Sequence, residues 1–219
     1  MEVTQDNKSL SESMEQTLET SNLSFLGDIG EVMIDATMEE SVLRDIPIIG
    51  AIVGLGKCIR NVVDMLFTKK LIAFLRGLKD TDAKKRQKAI RKWEEDTNYR
   101  IHVGETLLNM INRCDDTLKA KWLSKLFYEL VLKNQNSIMF MRAEKVLSSL
   151  SVMDVQAFLN LPQGSYSVII KTQDAEPFAN CGLYMPKVTL IMNRGYMPET
   201  RMHITEVGKC IYEILNSCD

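Results

Sequence analysis

Hydrophobic residues recur at helical spacing through most of the chain, and this pattern predicts a mostly α-helical protein. The longest apolar run is found in the eleven uncharged residues from Ile46 to Gly56, and an amphipathic stripe continues from there to Leu78. Gly50 and Gly54 lie four positions apart within this run, a spacing that lets two helices approach closely. The segment 46–78 therefore has to be buried against protein or against lipid.

Segment 46–78 is the candidate for contact with a membrane or with a second copy of the chain. Eleven uncharged residues fall short of the roughly 20 that a membrane-spanning helix needs. A basic amphipathic helix suits the surface of an anionic membrane, whereas the same stripe in a soluble bundle forms a core helix. Both alternatives stay open on the sequence. The candidate residues for membrane contact or self-association are Ile48, Ile49, Gly50, Ile52, Val53, Gly54, Gly56, Ile59, Val63, Leu66, Phe67, Leu71 and Phe74.

A strongly basic helix is predicted directly after this segment, with Thr81 or Asp82 as its N-cap. Its cations suggest a surface that contacts a polyanion. The alternative is an ordinary solvated helix, which the lack of aromatic residues between the charges favours over base stacking. The candidate residues for polyanion contact are Lys84, Lys85, Lys88, Arg91 and Lys92.

The pattern changes from helical to extended in the last quarter of the chain. Ser151 and Asp154 have the spacing of a capping box at the start of a helix. Two strands, 187–192 and 201–204, flank a turn that contains Gly195 and Pro198. Thr205 then caps a closing amphipathic helix. We predict a helical bundle followed by a small winged-helix-like α+β module.

Charge is segregated along the chain although the formal net charge is only -2. Residues 1–45 contain two basic and eleven acidic residues, a net charge of -9, and residues 46–102 contain thirteen basic and six acidic residues, a net charge of +7. Such asymmetry indicates a surface for anionic partners with an acidic arm that masks it, or simply a solvated tail. We expect an acidic arm over residues 1–30, which is disordered or, up to Leu23, forms a frayed helix, followed by a helical domain over 31–150 and the α+β module over 151–219.

The sequence shows no arrangement typical of an enzyme. It has two histidines, no glycine-rich phosphate loop and no cysteine or histidine pairs at metal-ligand spacing. Five cysteines without a CxxC pair suggest free thiols in a reducing cytoplasm. We therefore expect no catalytic residues, no metal and no cofactor, and a cytoplasmic protein that can lie peripherally on the inner membrane.

The last third of the chain resembles the C-terminal half of the bacterial Abi-alpha group of phage-defence proteins. In that group a Leu-Ser-x-x-Asp helix start precedes a Gly-Leu step and a Leu-Thr-x-x-Gly closing helix. The matching positions are Leu150, Ser151, Asp154, Gly182, Leu183, Ile204, Thr205 and Gly208. The run Pro47 to Gly50 is also similar to the start of related bacterial proteins. This resemblance implies abortive-infection defence and carries over no catalytic residues.

These observations favour a non-enzymatic defence protein that acts through membrane association or oligomerisation of segment 46–78. Its partners are then inner-membrane lipid, a second copy of the chain or another defence protein. The alternatives are a winged-helix regulator that binds nucleic acid and a protein-docking adaptor. Nucleic acid is the weaker alternative, because phosphate contacts dominate such affinity and the closing helix has Lys209 between Glu206 and Glu213.

Overall fold

The structure is a computed structural model that describes residues 9–27, 45–54, 62–96, 102–161, 167–168, 178–191 and 197–217. It divides into two compact units, Met1–Ser137 and Ile138–Asp219. This division falls earlier than residue 150, where the sequence suggested a boundary, because the helix that begins at Ser137 clusters with the second unit.

The described part of the first unit is a bundle of α-helices. In chain order the helices are α1 (Leu10–Thr20), α2 (Pro47–Gly54), α3 (Val62–Arg76), α4 (Ala83–Asp96), α5 (Val103–Arg113) and α6 (Thr117–Leu126). A 3-10 turn, Ser24–Gly27, follows α1, and a π-helix, Phe127–Lys133, continues directly from α6.

Aromatic rings from three helical elements meet in the core of the first unit. Phe127 of the π-helix lies 5.7 Å from Phe74 and 6.4 Å from Trp93, measured between ring centroids. Such ring pairs add about 0.5–1.5 kcal/mol to the stabilisation from buried apolar area. Gly77, at the end of α3, allows a close approach to α6, because a Cβ atom there would lie 1.9 Å from the Ser124 hydroxyl oxygen.

Over residues 9–27 the structure differs from the disordered arm that the sequence analysis expects. Ser9 and Glu12 form a capping box at the start of α1. Met14, Leu18, Leu23 and Leu26 are fully or almost fully buried. These four apolar residues are spaced widely among Ser, Thr and Glu, so the composition of the segment hides a helix that tertiary contacts stabilise. The rest of the expected arm lies outside the described residues.

The second unit contains three helices, α7 (Ser137–Ser149), α8 (Val152–Leu159) and α9 (Glu206–Asn216), and three strands. The boundary between the units falls directly after Ser137, the first residue of α7. The strands β1 (Ser167–Val168), β2 (Tyr184–Ile191) and β3 (Met197–Ile204) form an antiparallel sheet in the order β1-β3-β2. The hairpin pairs Tyr184 with Ile204 and Ile191 with Met197. β3 therefore begins four residues before the predicted strand and includes Pro198.

Phe158 of α8 is the centre of the core of the second unit. Its ring lies 6.0 Å from Phe178, 6.1 Å from Tyr184 and 5.7 Å from Tyr212. The Tyr212 hydroxyl also donates a hydrogen bond to the Leu161 carbonyl oxygen, 3.1 Å away. This cluster joins α8, the sheet and α9 into one module.

The positions that carry the Abi-alpha resemblance have structural roles in this module. Ser151 and Asp154 form the expected capping box of α8, and Thr205 caps α9 by accepting a hydrogen bond from Gly208 N. Gly182 has φ +90°, a conformation that side chains disfavour. A Cβ atom on Gly208 would lie 2.4 Å from the Leu183 carbonyl oxygen. The resemblance thus follows the caps and close contacts of the fold.

The predicted fold class is confirmed. The described chain is mostly helical, with a helical bundle followed by a small α+β module. The helices, the hairpin and the closing helix occur in the predicted order.

Candidate functional site

The described apolar side chains of segment 46–78 lie mostly inside the first unit. Ile48, Ile49 and Ile52 of α2 and Leu71 and Phe74 of α3 are buried. Because these five residues are buried, they cannot contact lipid in this conformation. For them, the structure agrees with the alternative in which the apolar stripe forms part of a protein core.

The remaining candidates of this segment have other environments. Gly50 and Phe67 are half-buried, and Leu66 is 51% exposed beside the exposed Met65. Val53, Gly54 and Val63 belong to α2 and α3, while Gly56 and Ile59 lie outside the described residues. An exposed apolar pair therefore remains only at the start of α3, as far as the described residues go.

The five cations predicted for polyanion contact all lie on the exposed side of α4. Lys84, Lys85, Lys88, Arg91 and Lys92 are each exposed. At 3.6 residues per turn, their side chains fall within an arc of about 120°. We call residues 84, 85, 88, 91 and 92 the cationic face. The opposite side of α4 is buried through Ala89, Ile90 and Trp93.

The charges along α4 are arranged against the stability of an isolated helix. Lys84 and Lys85 occupy the first turn, and Glu94, Glu95 and Asp96 end the helix. The helix dipole favours the reverse, by about 0.3–1 kcal/mol for each charge. Lys88 has a like charge four positions away on either side, at Lys84 and Lys92, which is unfavourable, whereas Glu95 and Asp96 stand four positions after Arg91 and Lys92 as opposite charges. The helix dipole therefore does not account for the two lysines in the first turn of α4.

Few counter-charges neutralise the cationic face. Among the described residues, Lys84, Lys85 and Lys88 form no ion pair, whereas Arg91 interacts electrostatically with Glu94. Lys92 donates a 2.6 Å hydrogen bond to the Gln135 side-chain oxygen. The face thus presents most of its positive charge to solvent.

Arg86 lies on the opposite side of α4 from the cationic face and is fully buried. Its Nε donates to the Leu18 carbonyl oxygen at 2.6 Å, and its Nη atoms donate to the carbonyl oxygens of Ser21 and Thr81. Burial lowers the pKa of Arg86, and attraction to Asp82 opposes this effect. Sequence reasoning missed this role, although Arg86 shares a helical stripe with Ala89, Ile90 and Trp93.

Glu94 lies where α4 faces α1. Burial raises the pKa of the Glu94 carboxyl, and the negative charges of Glu15 and Glu19 raise it further, whereas His102 and Arg91 lower it. The Glu94 carboxyl group is therefore influenced by two acidic side chains of α1 as well as by basic neighbours.

The described residues contain no group of three or more His, Cys, Asp or Glu side chains placed to hold a metal ion. None of the described helices is long and apolar enough to cross a membrane. In the second unit, Lys209 of α9 lies 3.7 Å from Glu213, which offsets its charge.

Comparisons of this chain with protein-family models, with curated proteins and with solved structures find no match.

Proposed function

We propose that this chain is a non-enzymatic component of bacterial antiviral defence, of the abortive-infection type, that attaches peripherally to an anionic membrane surface. The observation that carries the proposal is the cationic face of α4, which is exposed and begins with lysines in the first turn, where the helix dipole disfavours them. The defence role rests on the resemblance of the last third of the chain to the Abi-alpha group.

The size of the electrostatic attraction fits reversible attachment. Each Lys or Arg near an anionic membrane contributes about 1 kcal/mol, so five cations contribute on the order of 5 kcal/mol. That is enough for weak, salt-sensitive binding and too little for a permanent anchor. Long lysine side chains can also lie along apolar surface while their ammonium groups reach the headgroups.

An anionic membrane fits this surface better than single-stranded nucleic acid. Such nucleic acid binds where aromatic side chains stack on its bases among the cations. The exposed side of α4 between Lys84 and Lys92 contains no aromatic residue, since Trp93 is buried.

Vesicle flotation tests the attachment. The full chain should bind vesicles of phosphatidylcholine with phosphatidylserine, should not bind pure phosphatidylcholine vesicles, and should dissociate as salt is raised. The double variant Lys84→Glu and Lys88→Glu should lower the partition coefficient at least about tenfold. Its thermal stability should be equal or higher, because a glutamate in the first turn suits the helix dipole.

The matched control is Arg142→Glu with Lys145→Glu, which makes the same change in net charge on the exposed side of α7. We expect it to bind vesicles nearly as well as the natural chain. An equal loss of vesicle binding in both double variants would show that net charge, and not the cationic face, determines binding. Binding to duplex DNA without binding to vesicles would assign the cationic face to nucleic acid and overturn the proposal.

Phage plating tests the defence role. Cells that express the chain should give fewer plaques than cells without it, and the Lys84→Glu and Lys88→Glu variant should restore plating. Protection that persists in this variant would separate defence from membrane attachment.

A second candidate function is protein docking, and the exposed apolar residues of the second unit favour it. Ile138 is 66% exposed, Met153 is 79% exposed and Met185 is 55% exposed. Met153→Glu and Met185→Glu should abolish protection from phage under this second candidate, whereas they should leave it intact under membrane attachment through α4.

A further inference from the structure

Helix α1 packs against three other helices of the first unit, namely α2, α4 and α5. Within the described part of the chain, α1 packs against α2 more extensively than any other element does. α2 consists of PIIGAIVG and contains no charged residue. α1 therefore covers the most apolar helix of the unit.

The cover is chemically unlike the helix beneath it. The buried residues of α1 are Ser13, Met14, Thr17 and Leu18, so only two of the four are apolar. Apolar burial stabilises a contact roughly in proportion to its area. Polar side chains therefore make up half of the buried residues that α1 contributes.

Hydrogen bonds through the side chains of three residues, Thr17, Glu15 and Arg86, connect α1 to its neighbours. Thr17 Oγ1 accepts a 3.0 Å hydrogen bond from Ile48 N in the first turn of α2. Glu15 Oε1 accepts a 3.1 Å hydrogen bond from Gly104 N in the first turn of α5, where His102 makes no capping hydrogen bond through its side chain. Arg86 donates to the carbonyl oxygens of Leu18, in the last turn of α1, and Ser21, directly after it. α1 therefore caps two helices and is itself capped by α4.

The contact between α1 and α5 is also very close. A Cβ atom on Gly104 would lie 2.3 Å from the Ser11 carbonyl oxygen and 2.9 Å from Glu15 Cγ. Because one of these atoms belongs to the backbone, α1 can dock in this position only if residue 104 is glycine.

The negative charge of α1 disfavours its contact with Glu94 of α4 and would also disfavour its approach to an anionic surface. The sequence of α1 contains Glu12, Glu15 and Glu19 and no basic residue. Glu15 and Glu19 also repel Glu94 of α4. An anionic membrane that attracts the cationic face will repel α1.

We infer that α1 is an autoinhibitory strap, which covers the apolar residues Ile48, Ile49 and Ile52 and leaves them when the cationic face meets an anionic bilayer. The uncovered α2 then inserts its isoleucines at the interface, beside the helix that carries the cationic face. This inference rests on the proposed function, because the cationic face supplies the first contact.

The test uses the full chain with Gly104→Ala. Alanine favours a helix more than glycine does, so α5 itself is not weakened, but the new methyl group collides with α1. We expect faster amide hydrogen exchange in α1 and in the first turn of α2. Partition onto phosphatidylserine-containing vesicles should rise about tenfold.

The matched control is Gly77→Ala. Its methyl group collides with Ser124 at the contact between α3 and α6, away from α1. This variant should lose stability without gaining affinity for vesicles. If Gly104→Ala fails to fold, Thr17→Val is the second variant, because it keeps the shape of the side chain and loses the tie to Ile48 N.

The outcomes separate this inference from the proposed function. If Gly104→Ala shows faster hydrogen exchange in α1 but an unchanged vesicle partition, the autoinhibitory strap is overturned. The proposed function still holds in that case if the natural chain binds anionic vesicles and the Lys84→Glu and Lys88→Glu variant does not. If neither the natural chain nor Gly104→Ala binds anionic vesicles, both proposals fail.

Discussion

Helices α2 and α5 of the first unit receive their N-terminal hydrogen bonds differently from α8 and α9 of the second unit. Two other helices of the first unit, α1 and α6, have local caps at Ser9 and Asp116. In the second unit, α8 is capped by Ser151 and α9 by Thr205, each from the residue that directly precedes the helix. In the first unit, Thr17 and Glu15 of α1 bond to the first turns of α2 and α5, across 31 and 89 residues of sequence. Local caps form whenever the helix forms, whereas these distant ones form only when α1 docks.

This difference makes α1 a shared support of the first unit. If α1 leaves, α2 and α5 lose hydrogen bonds to their first turns and the buried Arg86 loses the Leu18 and Ser21 carbonyl oxygens. The second unit has no described counterpart of such a helix, because α8 and α9 are each capped independently. Three substitutions, one of them with a matched control, sharpen this comparison.

The largest effect is expected from Arg86→Met. The change leaves carbonyl oxygens of Leu18, Ser21 and Thr81 without their buried donor. The free energy of unfolding should fall by about 3 kcal/mol, because each buried acceptor that loses its partner costs about 1–3 kcal/mol. Denaturant titration followed by circular dichroism measures it.

Arg91→Met is the control for this prediction, since it makes the same change on the exposed side of the same helix. Its effect should stay within about 0.5 kcal/mol. Similar losses for the two variants would show that Arg86 contributes no more than an ordinary surface arginine.

A smaller effect is expected from Ser151→Ala. It removes the hydroxyl that accepts from Asp154 N at 3.1 Å, and loss of such a cap costs about 1 kcal/mol. Hydrogen exchange should become faster in the first turn of α8 and remain unchanged in α1, α2 and α5. Changes that spread into the first unit would contradict the independence of the local caps.

The smallest effect is a pH dependence at Glu94. Since the pKa of Glu94 is raised in the folded state, the folded protein binds more protons than the unfolded chain, and stability falls as pH rises from the ordinary glutamate pKa through the raised one. Glu94→Gln should remove this dependence and slow hydrogen exchange in α1 at neutral pH. Exchange in α1 that is the same in both proteins at every pH would exclude repulsion between α1 and α4.

Several features of the molecule are readable from the sequence because they depend on residues close together in the chain. The capping box of Ser151 and Asp154, the cap at Thr205 and the amphipathic helices follow from spacing alone. The exposure of the cationic face also agrees with the helical spacing of its five cations.

Tertiary structure alone decided which apolar segment became core and which polar residues went inside. The pattern of α2 fits lipid or protein equally well, and the choice depends on α1, whose Ser, Thr and Glu content suggested a disordered arm. Arg86 is a basic residue in the same stretch of sequence as the exposed cations. Only the carbonyl oxygens that α1 brings to it make its burial favourable, because a buried charge is stable when its donors find acceptors.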